Sequence, residues 1–506
     1  MAPSSAVPTS RPSVPLHGYE LSNTIADHGS TKVAHVMALT GSASAIAAFL
    51  THVAQALALT FNTHPRMRAK LIRSAALAEV YPPTFTSETV AQEKLLEISQ
   101  WTPALGEWET FVATESEVPF DRTAQFPFHL RVWQYADNSD TLRLMLFSDH
   151  YMSDGISGLV VLHDVIMFAC RLSHDASIRA VPLPLRPSLY DMWLRPRGWW
   201  FLKPREWLLK LVGKAMLRHD LAQFKPALPI RKDQADFQVP VQINKSSYLF
   251  GQGKRDNLQR VLARCREEKV TLAGAIAAST MVAYYIAQDA DDATRDPVFK
   301  IAAGLDCNMR QRVASPVPET PVGCFYVTSD LERLAKQGVN MQTEGFWELA
   351  RQVKQNADEQ LTGGMLPFQL LILDVFMPAR RLARLARDVR IPHAVASDVD
   401  ISNVGRYPHA KVHAIQTAER EETLTVSSVH VSSSIPHLGP GVCVCTSSVE
   451  SLCVTMVHKH EHDDARTLFE AFMISMETAH EVTTHDKMID VVHRVRGQMK
   501  KEAPFA

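Results

Sequence analysis

The feature that most constrains the fold is one continuous stretch, LRLMLFSDHYMSDGISG, from Leu142 to Gly158, whose pattern predicts a strand, a turn and the start of a helix. Its apolar first part predicts a buried strand, and apolar residues at helical spacing from Ile156 to Arg171 predict a helix. His150 then lies where the strand ends and the chain turns back. The strand followed by a helix predicts an α/β fold. In such folds the functional groups commonly lie at strand ends, so we predict a functional site at this turn.

The turn contains an HxxxDG cluster whose members have separate chemical uses. Histidine titrates near neutrality, so His150 is the candidate general base for an attacking hydroxyl, amine or thiol. Asp154 is expected to fix the turn by pairing with a distant arginine, without transferring a proton. Gly155 permits unusual backbone angles and leaves room beside the reacting centre for a bulky thioester. The alternative is an ordinary strand-to-turn junction in which His150 is a satisfied histidine.

Length and composition predict two domains. The chain has 506 residues, of which 46% are hydrophobic, enough to fill two cores. We expect a disordered Ser/Pro-rich tail at residues 1–15, a first domain at 16–194, a basic aromatic linker at 195–238 and a second domain at 239–506.

Charge and cysteine content exclude some classes of partner. The 53 basic and 54 acidic residues nearly cancel, so no global field favours nucleic acid. Seven cysteines without a CxxC pair fit a reducing compartment, and the tail lacks the apolar core of a secretory signal. No apolar run is expected to cross a bilayer as a helix. These features predict a cytoplasmic protein, which we expect to be a monomer.

The linker is basic, aromatic and amphipathic. Between residues 195 and 225 it holds eight basic residues, two acids and Trp199, Trp200 and Trp207. Such a stretch can lie peripherally on a membrane or lipid droplet. We prefer the alternative, a helix that covers the domain junction, because its leucines can equally pack on protein.

A second candidate segment is FKIAAGLDCNMRQR, an apolar strand that ends in polar residues. Arg310 is the preferred partner of Asp154, and Arg312 is a possible substitute. The alternative is that both arginines cap the strand end or pair locally with Glu319.

A third segment, DVDISNVGRYPHA, contains Ser402, Asn403 and Gly405. These groups could stabilise a developing oxyanion or line a channel. Because Asn and Gly are common in turns, a hairpin connection is the alternative.

Three alternating histidines, His458, His460 and His462, superficially resemble a metal site. No second ligand cluster completes a set, so we expect a solvated strand end and no metal.

Together these segments resemble the CoA-dependent acyltransferase superfamily, which includes chloramphenicol acetyltransferase, fungal alcohol acetyltransferases and condensation domains. The resemblance rests on FPFHLRVWQY followed by LMLFSDHYMSDGISGLVVLHDV, and on SLYDMW, GLDCNMRQR and ISNVG in that order. It implies two similar α/β domains in a V-shaped pseudo-dimer. A central tunnel would bring acyl donor and acceptor to His150 from opposite faces, and Asp154 would inherit the structural role.

One departure narrows the activity. Condensation domains usually have two adjacent histidines, but here Asp149 precedes His150, which the simpler HxxxD pattern of alcohol acetyltransferases allows. The resemblance therefore implies an acyl-CoA-dependent O-acyltransferase that forms an ester from a small-molecule alcohol without a covalent acyl-enzyme. Acyl-CoA would be a co-substrate, with no permanently bound cofactor. The alternatives are a freestanding condensation enzyme with a carrier-bound donor, and a catalytically silent binding module.

Overall fold

The structure is a computed structural model that describes residues 11–73, 76–102, 107–135, 140–289, 296–313, 321–363 and 365–502. The described strands are β1 (Ser13–Pro15), β2 (Lys32–Gly41), β3 (Ala69–Ile72), β4 (Leu77–Val80), β5 (Leu96–Trp101), β6 (Phe128–Tyr135), β7 (Thr141–Asp149), β8 (Ser247–Gln252), β9 (Val298–Phe299), β10 (Ala303–Asn308), β11 (Tyr326–Asp330), β12 (Val339–Asn340), β13 (Val395–Arg406), β14 (Val412–Gln416), β15 (Glu421–Ser433), β16 (Gly439–Ser448) and β17 (Leu452–His458).

The described α-helices are α1 (Gly18–Ser22), α2 (Ala43–Thr63), α3 (Ser87–Gln92), α4 (Trp108–Glu117), α5 (Gly155–His174), α6 (Trp199–Leu208), α7 (Lys214–Gln223), α8 (Arg255–Glu267), α9 (Leu272–Ala287), α10 (Glu332–Lys336), α11 (Phe346–Thr362), α12 (Met365–Phe376), α13 (Ala379–Asp388), α14 (His462–Thr478) and α15 (Met488–Glu502). A π-helical segment, Leu209–Gly213, joins α6 to α7.

The first half is built on a six-stranded sheet in the order β14-β15-β2-β7-β6-β5. Strand β2 pairs antiparallel with β7 and β15, and the parallel pair β5-β6 forms one edge. Helices α2 and α5 pack against each other in the apolar core of this half. The side chain of Ser42 caps α2 by accepting the N–H of Ala45, and Asp154 caps α5 in the same way. The cap on α5 fixes where the helix begins, immediately after the HxxxDG turn.

The second half repeats this plan with a sheet in the order β11-β10-β13-β16-β17-β8. Strands β10, β13 and β16 are parallel, and β11, β17 and β8 join antiparallel. Helix α9 is apolar and buried along almost its whole length, because α11 and α14 cover it. The expected α/β class with two similar halves is confirmed.

The division of the chain differs from the expected boundaries. Strands β14 and β15 follow residue 239 in sequence, yet β15 pairs with β2 and completes the sheet of the first half. The stretch 239–506 is therefore not one closed domain. Part of the expected tail 1–15 is structured, because β1 pairs with β4; residues 1–10 lie outside the described part.

Two expectations about apolar and histidine-rich segments are wrong. Helices α2 and α5 are each long and apolar enough to cross a membrane, although 56% and 67% of their most apolar windows are buried inside the protein. His458 and His460 are buried and do not form a solvated strand end. The reason is that Ile230 forms a β-bridge with His460, so the preceding segment covers this strand end.

Candidate active site

The histidine of the HxxxDG turn is held in one orientation. The main-chain N–H of His150 donates to the Thr31 carbonyl at 2.8 Å, and its ring stacks on Tyr326 with 5.0 Å between centroids. Its Nδ1 lies 2.8 Å from the carbonyl oxygen of Ser153. Because a carbonyl only accepts, Nδ1 carries the proton and Nε2 of the neutral ring keeps its lone pair. The side chain is 9% exposed and lines a cavity.

Asp154 is the most heavily bonded carboxylate of the turn. Its Oδ1 accepts the main-chain N–H and the hydroxyl of Ser157, both at 2.8 Å, and its Oδ2 accepts the N–H of Phe325 at 2.9 Å. Arg310 donates to each oxygen at 2.9 Å. Burial raises the pKa of Asp154, but Arg310 and these donors outweigh it and hold the pKa below its ordinary value. All of its contacts are structural, as expected for a group that fixes the turn.

Of the two candidate arginines, Arg310 is the partner. It is buried, and its Nη2 also donates to the hydroxyl of Ser157 at 3.0 Å. Arg312 is exposed, and its main-chain N–H donates to the carbonyl of Met309. The expected pair between Asp154 and Arg310 thus joins the helix of the first half to a strand end of the second.

Gly155 lies at a close contact between the two halves. Its backbone lies outside the left-handed region, so the expectation of unusual backbone angles is wrong. A Cβ at this position would lie 2.7 Å from Cγ2 of Val404, and the Gly155 carbonyl accepts a hydrogen bond of 2.7 Å from Nε2 of His35. The glycine lets β13 of the second half approach the start of α5, while also lining the cavity beside His150.

The Ser402–Gly405 segment is neither a hairpin nor a free loop. It lies inside β13, which is parallel to β10 and β16 and bulges between Asn403 and Gly405. Gly405 has a φ of +83°, which permits this bulge. It is not one of the described residues that line the two cavities at the site. Oδ1 of Asn403 accepts the Gly405 N–H and the Thr446 hydroxyl, both at 3.1 Å. These bonds leave the NH₂ of Asn403 as a donor on the cavity wall.

Two carboxyl groups of the site were not assigned from the sequence. Asp306 accepts the Thr328 hydroxyl at 2.8 Å and also hydrogen-bonds Ser402, and Asp400 lies beside it on β13. Burial raises the pKa of Asp306, and burial followed by the charge of Asp306 raises the pKa of Asp400 well above its usual value. The sequence signal that could have indicated these two groups is an acidic residue inside an apolar strand, which occurs in both GLDCN and DVDIS.

Two cavities meet at the histidine. The larger holds about 510 Å³ and extends between the halves, and the smaller holds about 120 Å³ on the side of Asp154. Their walls share the residues His150, Gly155, Asp306, Tyr326 and Ser402. A group in either cavity therefore reaches the same imidazole, which is the arrangement that a tunnel through the site requires.

Within the described ranges, no group of three or more His, Cys, Asp or Glu side chains is arranged to hold a metal ion. His460 instead pairs through Nδ1 with the carbonyl of Pro229 at 2.9 Å.

Comparison with known proteins yields structural likeness without sequence likeness. No protein-family model matches the sequence, and no curated protein does. Trichothecene 15-O-acetyltransferase from Fusarium sporotrichioides is similar in structure, with a TM-score of 0.66 and 12% identity over 92% of this chain and 95% of that one.

Condensation domains are similar as well. The first condensation domain of the calcium-dependent antibiotic synthetase has a TM-score of 0.62 and 12% identity, over 95% of this chain and 99% of that one. The condensation domain of the Monacolin K polyketide synthase has a TM-score of 0.57 and 15% identity, over 95% and 100%. At these identities the likeness establishes the fold. The chain therefore has the fold shared by this O-acetyltransferase and these condensation domains.

Proposed function

We propose that the protein transfers an acyl group from acyl-coenzyme A to the hydroxyl of a small-molecule alcohol, with His150 as general base. The observation that carries this proposal is the orientation of His150: its Nδ1 proton is held by Ser153, at the point where two cavities meet. A base with one fixed tautomer, reached from two adjoining cavities, suits a direct transfer between bound donor and acceptor.

In the proposed reaction, Nε2 of His150 removes the hydroxyl proton as the alcohol oxygen attacks the thioester carbonyl. The tetrahedral intermediate collapses with cleavage of the C–S bond, and the imidazolium returns the proton to the leaving thiolate. Proton and electron pairs balance without a covalent acyl-enzyme. The hydrogen bond from Nδ1 to Ser153 stays in place throughout and stabilises the imidazolium.

The NH₂ of Asn403 is the proposed donor to the oxyanion. The sequence offered Ser402 and Asn403 equally, but the hydroxyl of Ser402 interacts with the carboxyl of Asp306. Oδ1 of Asn403 already accepts from Gly405 and Thr446, and its NH₂ is the remaining donor of a residue that lines the smaller cavity. Loss of one such donor typically costs about 10²-fold to 10³-fold in rate.

The test measures release of free CoA thiol from short and long acyl-CoA donors, with and without mixed alcohols. Alcohol-dependent release that disappears in His150→Ala, and persists in a control variant of the exposed His28, supports the proposal. The matched unfolding midpoints of the two variants show whether the loss is catalytic.

Other outcomes assign the chain differently. Turnover with acyl groups on a carrier protein, but none with CoA, indicates a freestanding condensation enzyme. No turnover with either donor, together with ligand binding unchanged by His150→Ala, indicates a silent binding module.

A further inference from the structure

The basic aromatic segment that the proposed reaction does not use forms an unusual surface. From Trp199 to Gln223 the chain is continuously helical, as α6, a π-helical turn and α7. Seven of the fourteen exposed large apolar side chains in the described part of the protein belong to this segment. They are Trp199, Trp200, Trp207, Leu208, Leu211, Val212 and Met216.

The exposure of these side chains is not a by-product of a loosely attached helix. Leu209 is buried, and Leu202, Leu217 and Leu221 pack against the same apolar cluster. The helix therefore packs one set of apolar side chains against the protein and leaves a second set in solvent. In this second set, Trp200 is 74% exposed and Trp207 is 65% exposed. The expected role of covering the protein accounts only for the first set.

The same helical segment carries several cations. Lys203 and Lys210 share one carboxylate, Glu206, which leaves an excess positive charge. Arg205 lies 3.9 Å from the ring centroid of Phe201, and Arg218 is exposed on α7.

A neighbouring helix adds more positive charge. Helix α13, sequence ARRLARLARD, packs its leucines into the same apolar cluster, and Lys214 of α7 is ion-paired with Asp388 at its end. Arg380, Arg384 and Arg387 of this helix are exposed. We call the exposed residues Trp199, Trp200, Trp207, Leu208, Leu211, Arg380 and Arg384 the tryptophan-arginine face.

We propose that the tryptophan-arginine face binds the surface of an anionic phospholipid bilayer. Exposed tryptophans favour the headgroup level, leucines insert just below it, and arginines on the flanking helix meet lipid phosphates and carboxylates. The charge argues for lipid over a second copy of this chain, because two such faces would bring like charges together. The opposite side of the same helix carries Leu217, which lines the larger cavity, so docking places the cavity wall next to the bilayer.

The experiment is flotation of the full chain with vesicles of phosphatidylcholine alone or mixed with phosphatidylserine. We expect binding to the mixed vesicles that weakens with added salt. Replacement of both Trp200 and Trp207 by serine should reduce the bound fraction about tenfold, because their insertion supplies the apolar part of the affinity. Replacement of Arg380 and Arg384 by glutamine should remove the preference for phosphatidylserine. None of these side chains lines the two cavities at His150, so activity on soluble substrates serves as the folding control.

The matched control replaces Val118 and Val181, two exposed apolar residues outside the face, by serine. Equal flotation of the tryptophan variant and this control would overturn the proposal, as would the absence of flotation of the parent chain. Self-association that the tryptophan variant abolishes, without vesicle binding, would overturn it too and assign the face to a second copy.

Discussion

Asp154 of the first half receives two hydrogen bonds of 2.9 Å from Arg310 of the second. Both side chains are buried, so removal of either leaves a charge without its partner in an apolar setting. The pair also shapes the turn that carries His150, because the same carboxylate caps α5. Stability and the position of the proposed base are thus tied to one contact across the halves.

Arg310→Ala should lower the free energy of unfolding by about 3–5 kcal/mol, because it leaves the buried Asp154 carboxylate without its positively charged partner. Arg312→Ala, a change of the same kind at an exposed position, should have almost no effect. Chemical denaturation of both variants measures the difference. Equal stabilities of the two variants would refute the role given to the buried pair.

Gly155→Ala should reduce both stability and acyl transfer, because the new methyl group would meet Val404 at 2.7 Å. Overpacking of this kind costs about 1–3 kcal/mol. The double variant Gly155→Ala with Val404→Ala should recover much of the loss, since it restores the space. Measurement of a thermodynamic cycle over the four proteins tests the contact, and a strictly additive cycle would contradict it.

Asp400→Asn should stabilise the protein near pH 7.5. Burial and the charge of Asp306 raise the folded-state pKa of Asp400 well above its ordinary value, so folding disfavours the ionised form. This penalty is absent below the unfolded-state pKa, grows as pH rises towards the folded-state pKa, and is complete above it. Denaturation at pH 4 and pH 7.5 should show a gain of at least roughly 1 kcal/mol only at the higher pH. A loss of stability at pH 7.5 would be inconsistent with this account.

Acid should destabilise the fold through its buried histidines. Burial lowers the pKa of several of them to about 4, namely His35, His129, His430, His437 and His460, and that of His458 to about 3. Below pH 6.5 these histidines bind protons in the unfolded chain but stay neutral in the folded chain. The free energy of unfolding therefore falls as pH drops from about 6.5 towards 4. Each such histidine contributes up to roughly 2 kcal/mol at pH 5.

Urea denaturation between pH 8 and pH 5 measures this slope directly. His458→Leu removes one ionisable ring from a buried strand end and should make the slope shallower. A slope unchanged by this variant would show that His458 titrates freely in the folded protein.

The sequence predicts local elements well because their signals are local. The strand and helix around His150 follow from apolar spacing, and the structure places them at Thr141–Asp149 and Gly155–His174. Helix α2, Ala43–Thr63, begins directly after Ser42, a residue type that commonly caps helices. Arg310 could be proposed as a partner because an arginine after an apolar strand lies at the sheet end.

Features that depend on long-range register could not be predicted. Whether Asp306 and Asp400 face the cavity is set by the alignment of β10 with β13, which a single sequence does not specify. The close approach of Val404 to Gly155 comes from the packing of the two halves, and the strand end at His460 is covered by Ile230, which lies 230 residues earlier in the chain. Each of these contacts joins distant parts of the chain.

The pairing of β15 with β2 also determines when the first sheet can be completed during synthesis. Strand β15, residues 421–433, is translated almost 400 residues after its partner β2. Until then one edge of β2 exposes unpaired N–H and C=O groups, and such edges readily pair with other chains. The first half therefore completes its sheet only after most of the second half has been made. A fragment that ends at residue 238 should aggregate, and co-expression with the remaining chain should restore a soluble protein.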